Sequence, residues 1–198
     1  MKSDYKIIYG ILSKWILKGE RIITNGTQLL CPVPHVAPQA WLHEIYAGLS
    51  ESIIVEYEKK FPLSFPSEYR EFLHYANGIN VFSDSFRVNG LRTSYCRIGD
   101  EAIQPYDLMG LNEERPRGCP NEWLYFGSYE WDGTKLMFDL SDPTNQNKVY
   151  RCARRTPEIL QEWPDFWRFL ESEIRRLALL YDENGVKYDK NAPTTPSL

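Results

Sequence analysis

The spacing of apolar residues changes at Gly78, and that change limits the architectures open to this chain. Ahead of it, Phe65, Tyr69, Phe72, Leu73 and Ala76 recur at helical intervals and make one apolar stripe. Pro66 suits the first turn of that helix, where its missing N–H costs nothing. Ser67 and Glu68 complement the positive end of its dipole, and Asn77-Gly78 reads as a left-handed stop. Beyond Gly78 the apolar runs shorten to strand length and are separated by turn residues: Phe86 to Leu91, Ser94 to Ile98, Leu124 to Ser128, Leu136 to Leu140 and Val149 to Ala153. Tyr129 to Lys135, with Asp132-Gly133 at its centre, joins two of these as a hairpin. A long helix then starts near Pro164 and presents Phe166, Phe169, Leu170, Ile174, Leu177 and Tyr181 to the interior, with Glu171 and Arg175 as an i,i+4 pair on its wet side. Helices, then strands, then a closing helix predict an α+β fold: a mixed or antiparallel β-sheet packed by N-terminal helices and a long C-terminal helix.

The first half divides further. Tyr5, Ile8, Leu12, Trp15 and Ile16 predict a helix ending near Gly19. Asn25-Gly26 between Arg21–Thr24 and Thr27–Leu30 predicts a hairpin, because both turn positions need positive φ. Cys31 to Pro38 holds three prolines and reads as an extended connector. A helix is expected from Pro38 through Trp41, Leu42, Ile45 and Tyr46 to Gly48, and another from Glu51 to Lys60 with Ile53, Ile54, Tyr57 and Phe61 on one stripe. Leu111 to Pro120 is polar and reads as a surface loop. The expected division is an extension over residues 1–37, a main domain over 38–185 and a flexible tail over 186–198.

Length and composition fit a domain that needs no staple. At 198 residues the chain can bury roughly 70% of its unfolded surface. The four cysteines, Cys31, Cys96, Cys119 and Cys152, include no C-x-x-C pair and read as buried or half-buried thiols in a reducing compartment. The start has no apolar signal core, and no run reaches the length of a membrane span, so a cytoplasmic location without membrane contact is expected. The net charge of −4, from 27 acidic and 23 basic residues, opposes direct nucleic-acid binding, which needs a basic surface.

Chemistry is sparse. Gly127-Ser128-Tyr129 lacks the second glycine of a nucleophile elbow, and neither a P-loop nor G-x-G-x-x-G occurs. His35, His43 and His74 stand apart. His43-Glu44 does not continue into H-E-x-x-H, and His74 falls off the apolar stripe of its helix. No catalytic residue, cofactor or metal site is expected, and the chain reads as a binding protein. One cluster stands out. Between Glu122 and Asp142, five carboxylates (Glu122, Glu130, Asp132, Asp139, Asp142) face one cation, Lys135, and alternate with Trp123, Tyr125, Tyr129 and Trp131. Glu122, Tyr129, Glu130, Trp131 and Asp132 are the candidate protein-binding residues: charge speeds encounter with a basic partner and aromatics supply buried contact area. The alternative is a solvated hairpin whose alternate residues are core. The basic stretch Lys148, Arg151, Arg154 and Arg155 is expected to pair with this hairpin rather than bind an anion.

The order of segments resembles the SMI1/KNR4 (SUKH) superfamily. The resemblance rests on Ile53 to Phe61, Leu63 to Pro66, Tyr69-Arg70-Glu71-Phe72-Leu73 and Asn77-Gly78. It continues through the apolar strand, turn and strand of Leu124 to Leu140 and the W-x-x-F-x-x-F-L pattern of Trp163, Phe166, Phe169 and Leu170. It spans roughly Pro38 to Tyr181. The resemblance implies an α+β domain without catalysis of its own. Bacterial members resemble immunity proteins that bind a cognate polymorphic toxin, often a nuclease or deaminase. Fungal members act as regulatory scaffolds linked to cell-wall assembly. A toxin with a basic domain is the expected partner.

Overall fold

The computed structural model describes residues 3–197. In chain order come α1 (Ser3–Leu12), a 3-10 turn (Ser13–Lys18), β1 (Glu20–Ile22), β2 (Gln28–Pro32), β3 (Trp41–Ala47), α2 (Glu51–Lys60) and α3 (Ser67–Tyr75). These are followed by β4 (Ala76–Val81), β5 (Phe86–Val88), α4 (Leu108–Glu113), β6 (Trp123–Tyr129), β7 (Lys135–Asp139), β8 (Val149–Cys152), β9 (Ile159–Trp163) and α5 (Phe166–Ala178). The nine strands form one antiparallel sheet whose spatial order is the chain order.

Residues paired across an antiparallel ladder point to the same side of a sheet. One row therefore runs Ile45, Ile79, Val88, Gly127, Leu136 and Arg151. It faces the helices. Tyr5, Ile8 and Leu12 of α1, Tyr69, Phe72 and Leu73 of α3, and Phe166, Phe169, Leu170, Ile174 and Leu177 of α5 all join this core. Its centre is aromatic: Phe126 and Phe138 stack at 4.3 Å between centroids, and Phe166 meets Phe126 edge-on at 5.6 Å. The Asp165 carboxylate accepts from the Arg168 backbone N–H at 2.8 Å and caps α5, a contact worth about 1 kcal/mol. Glu68 works across elements rather than on its own helix, since its Oε2 accepts from the Phe166 N–H at 3.0 Å.

Several expectations are met and others corrected. The Asn25-Gly26 hairpin, helix α2, the α3 stripe, the Asp132-Gly133 hairpin, the strand at 149–152 and the closing helix all appear, although Ile53 of the expected α2 stripe is exposed. The helix expected over 38–48 is strand β3. Leu42, His43, Ile45 and Tyr46 are all buried because β3 lies between β2 and β4 and is covered on both sides, and that pairwise burial mimics a helical stripe. Helix α3 stops at Tyr75, and Asn77-Gly78 belongs to β4. Gly78 has φ +86, and a Cβ there would sit 2.7 Å from the Val88 carbonyl, so the glycine permits close strand approach. No strand forms over Ser94–Ile98, the short helix α4 takes up residues 111–113 of the loop expected over Leu111–Pro120, and β9 had no sequence signal.

The expected boundary at residue 37 is not a break in the fold. The prolines of 32–38 lie in the β2–β3 connection, so both sides of the boundary share one sheet. Nor are residues 194–196 loose. Thr194, Thr195 and Pro196 are buried, and the Thr194 and Pro196 carbonyls accept from Arg176 at 2.7 Å and Arg151 at 2.8 Å.

Candidate binding face of the sheet

The hairpin singled out by its charge is largely occupied with itself. Trp123, Tyr125 and Tyr129 are buried, so Tyr129 offers no contact surface. Glu122 is exposed but precedes β6, whereas Glu130 follows it, which places the two about 20 Å or more apart. The remaining three sit together at the tip and point different ways. Glu130 pairs with Arg87. Asp132 turns toward the helix side and accepts from Arg151 at 2.6 Å and from the Thr134 hydroxyl at 2.7 Å. Burial pushes the Asp132 carboxyl up, but hydrogen bonds from Thr134 and Arg151 outweigh it and hold the group below the usual carboxylate range. Only Trp131 keeps a large apolar surface, half exposed, with the Lys187 ammonium 4.8 Å from its ring centre. Asp139 and Asp142 cap turns through the Ser141 and Thr144 N–H groups. The expected pairing of the basic stretch with the hairpin holds at Arg151, while Lys148 pairs with Glu162.

The opposite face of the sheet carries a different row: Glu44, Asn80, Arg87, Ser128 and Lys135, each paired with the next and each half-buried. No helix of the main core covers it. At the β6–β8 end, Trp123, Tyr125, Met137 and Cys152 form a small second cluster capped by Leu111 of α4 and Cys119. Burial, with Cys119 nearby, pushes the Cys152 thiol up to about 12, which leaves it an inert packing group. Toward β3, the long excursion between β5 and β6 crosses the face. Asn25 ties it down through the Ile103 carbonyl at 2.9 Å, and Arg21 through Asp100 at 2.8 Å.

Between that excursion and the strands lies a cleft of about 330 Å³ lined by Glu44, Tyr46, Asn80, Asp84, Arg92 and Tyr106, with Ala102 to Pro105 as its roof. A second hollow of about 520 Å³, containing Ile53, Leu49 and Leu91, shares Tyr46 and the Ile103–Pro105 roof with it. Glu44 accepts from the Tyr46 hydroxyl at 2.6 Å and the Asn80 amide at 3.3 Å. Its burial nevertheless raises the carboxyl above the ordinary glutamate range. Arg87 stacks its guanidinium 4.0 Å from the Tyr106 ring centre.

Asp84 reaches the cleft from an uncommon turn. Phe82, Ser83 and Asp84 have φ of 56, 51 and 69 in succession, although none is glycine. Side chains disfavour this region by roughly 1 kcal/mol or more per residue, so the surrounding contacts must hold it. Phe82 donates its N–H to His43 Nδ1 at 3.3 Å, Ser83 donates to the Leu42 carbonyl at 2.9 Å, and Tyr181 donates to the Phe82 carbonyl at 3.0 Å. His43 is fully buried on the helix side, and burial drives its pKa down to about 3, so it serves as a neutral acceptor. His74 is exposed and bonds the Leu49 carbonyl. Ser128 lies between Arg87 and Lys135 in the polar row, on the face opposite to His43.

Sequence reasoning missed this cleft. The signal was present in Ile79-Asn80-Val81 and Phe86-Arg87-Val88, where a polar residue alternates with core residues. Glu44 was hidden by the helical reading of its segment, and Asp84 and Tyr106 lie in connections without periodicity.

A helix-backed antiparallel sheet with a polar, partly roofed opposite face defines an α+β domain of the sheet-and-helix class. Among the described residues, no group of three His, Cys, Asp or Glu could hold a metal ion, and no helix is long and apolar enough to cross a membrane. The chain belongs to the SMI1 / KNR4 family (SUKH-1), whose profile matches residues 48–172. That span starts after β3, so β1 to β3 lie outside the match while sharing its sheet. A search of curated proteins finds no relative that matches this chain.

Proposed function

We infer that this chain is a cytoplasmic, non-catalytic binding domain that neutralises a cognate polymorphic toxin, of nuclease or deaminase type, by stoichiometric contact with a basic domain. The observation that carries the reading is the polar face itself. Glu44, Asp84 and Glu130 gather there beside Tyr46 and Tyr106, and the half-exposed Trp131 follows Glu130 at the hairpin tip, in a member of a family whose proteins are generally non-catalytic. Carboxylates of this kind speed encounter with a basic partner, and half-exposed aromatics supply the area that slows its departure. Of the hairpin residues, Glu130 and Trp131 are the proposed contacts. Asp132 holds the hairpin through Arg151.

Co-expression with the toxin encoded by the neighbouring gene tests this directly. The expected result is a stable complex and restored growth, with Glu130→Lys slowing association and flattening its dependence on salt. A toxin that remains lethal and unbound overturns the role. Recovery of wall-synthesis or signalling enzymes in its place would assign the chain to the scaffold branch of the family.

A further inference from the structure

We propose that residues 187–196 form a clasp that fixes the posture of Trp131 for partner binding, with Lys187, Arg151 and Arg176 as its positioning residues. This deepens the protein-binding reading above and rests on it for the choice of contact surface. The segment 192–196 forms no helix or strand, yet Thr194, Thr195 and Pro196 are buried. Three cations hold it, each through an alternate backbone carbonyl. Lys187 Nζ donates to the carbonyl of Ala192, Arg176 to that of Thr194 at 2.7 Å, and Arg151 to that of Pro196 at 2.8 Å. Hydrogen bonds from charged donors are roughly twice as strong as neutral ones, and these end on backbone, so the segment is held by its path and not by its side chains.

The three donors connect the segment to different parts of the molecule. Arg176 belongs to α5, whose apolar face is sunk in the main core, and it pairs with the buried Glu173 at 2.7 Å. The middle of the segment is thereby tied to a rigid element. Its two ends reach the hairpin tip by separate routes. One runs through Lys187, whose ammonium stands 4.8 Å from the Trp131 ring centre. The other runs through Arg151, which donates to Asp132, the residue after Trp131, at 2.6 Å and to the Thr134 hydroxyl at 3.0 Å. Both routes end at Trp131 or its neighbour. Among the described residues no aromatic ring packs on Trp131, and Lys187 is the only cation over it, although half of the side chain is exposed. A tryptophan with so few neighbours in its own hairpin changes rotamer unless something outside the hairpin holds it. The clasp supplies that hold. A side chain ordered before encounter loses less freedom on binding, which raises affinity without adding a contact.

The test follows the Trp131 indole N–H by NMR relaxation in ¹⁵N-labelled full-length protein, with the signal assigned by its loss in Trp131→Phe. The indole of Trp15, which is buried and donates to the Asp182 carbonyl at 2.9 Å, is the internal reference for an intact core. Lys187→Met keeps the stem and removes the ammonium. Thr194→Arg places a long cation where threonine is 4% exposed and drives the segment out, although Thr194 bonds Arg176 and not the tip. The expected result is a Trp131 indole as ordered as that of Trp15 in the native chain and in Thr194→Ser, and mobile in both clasp variants. Against the toxin both variants should bind about fivefold more weakly. A Trp131 that is mobile in the native chain, or that stays ordered in Lys187→Met and Thr194→Arg, overturns the clasp. The indole readout needs no partner, so the two readings fail separately. Loss of order in both variants of a chain that neutralises no toxin retains the clasp and loses the immunity role. A toxin complex formed with Trp131 equally ordered in every variant retains the role and loses the clasp.

Discussion

The β6–β7 hairpin tip and the β3–β5 cleft both carry carboxylates, yet they differ in what is left over. At the tip, Asp132 meets Arg151, Thr134 and its own turn, and Arg151 in turn reaches the Pro196 carbonyl, so the groups close on one another. In the cleft, buried polar atoms of both kinds go without a hydrogen bond, Asn80 Oδ1 and Asp84 Oδ1 among the acceptors and Arg87 Nε among the donors. Charge written in a sequence is therefore not charge available to a partner. The tip has the denser acidic pattern and is chiefly structural, while the cleft has a sparser pattern and hydrogen bonds left unmade.

The largest expected effect comes from breaking the closed side of this contrast. Arg151 is 3% exposed, and Arg151→Met should cost about 3–5 kcal/mol in urea unfolding, because removing one partner strands the others in the interior. Deleting residues 191–198 should cost about 2–3 kcal/mol by removing the acceptors of Arg151 and Arg176. Combined with Arg151→Met it should cost less than the sum, since the two changes share a contact. An additive result would mean that the tail and the hairpin are independent.

Acid sharpens the other side. His43 supports the strained turn as a neutral group, with its folded pKa of about 3 below the ordinary 6.5. The unfolded chain therefore binds the proton first. Stability is fully present above pH 6.5 and falls as pH drops toward 3, by about 2 kcal/mol between pH 6.5 and 4.5. Denaturant titrations at several pH values should show this slope in the native chain and a shallower one in His43→Gln. A smaller effect has the opposite sign. Glu44→Gln removes a desolvated charge and should raise Tm by about 2–4 °C at pH 7, on the order of 1 kcal/mol. Glu130→Gln, on an exposed carboxylate, should move it by less. A Glu44 variant that lost stability instead would show that the hydrogen bonds from Tyr46 and Asn80 outweigh the cost of burying the charge.

Elements with strong local signals were legible: the α3 and α5 stripes, the Asn25-Gly26 and Asp132-Gly133 turns, and the strands on either side of the latter. The failures share a cause. β3 is buried on both faces by neighbours distant in sequence, so it lost the alternation that marks a strand, and β9 carries only exposed and half-buried positions. For the site, the sequence marked a run of adjacent acids. The cleft unites Glu44, Asn80, Asp84 and Tyr106, which are spread over sixty residues and share no local pattern.

The order of helical and strand periods, with the turn residues between them, sufficed to determine an α+β domain and its family. Periodicity reports which residues are buried, and burial is what a core requires. Tertiary structure alone decided which charges cancel and which polar atoms go without a partner. Hydrogen bonds and ion pairs depend on approach to within about 3 Å, and that proximity is set by strand register and loop closure rather than by position along the chain.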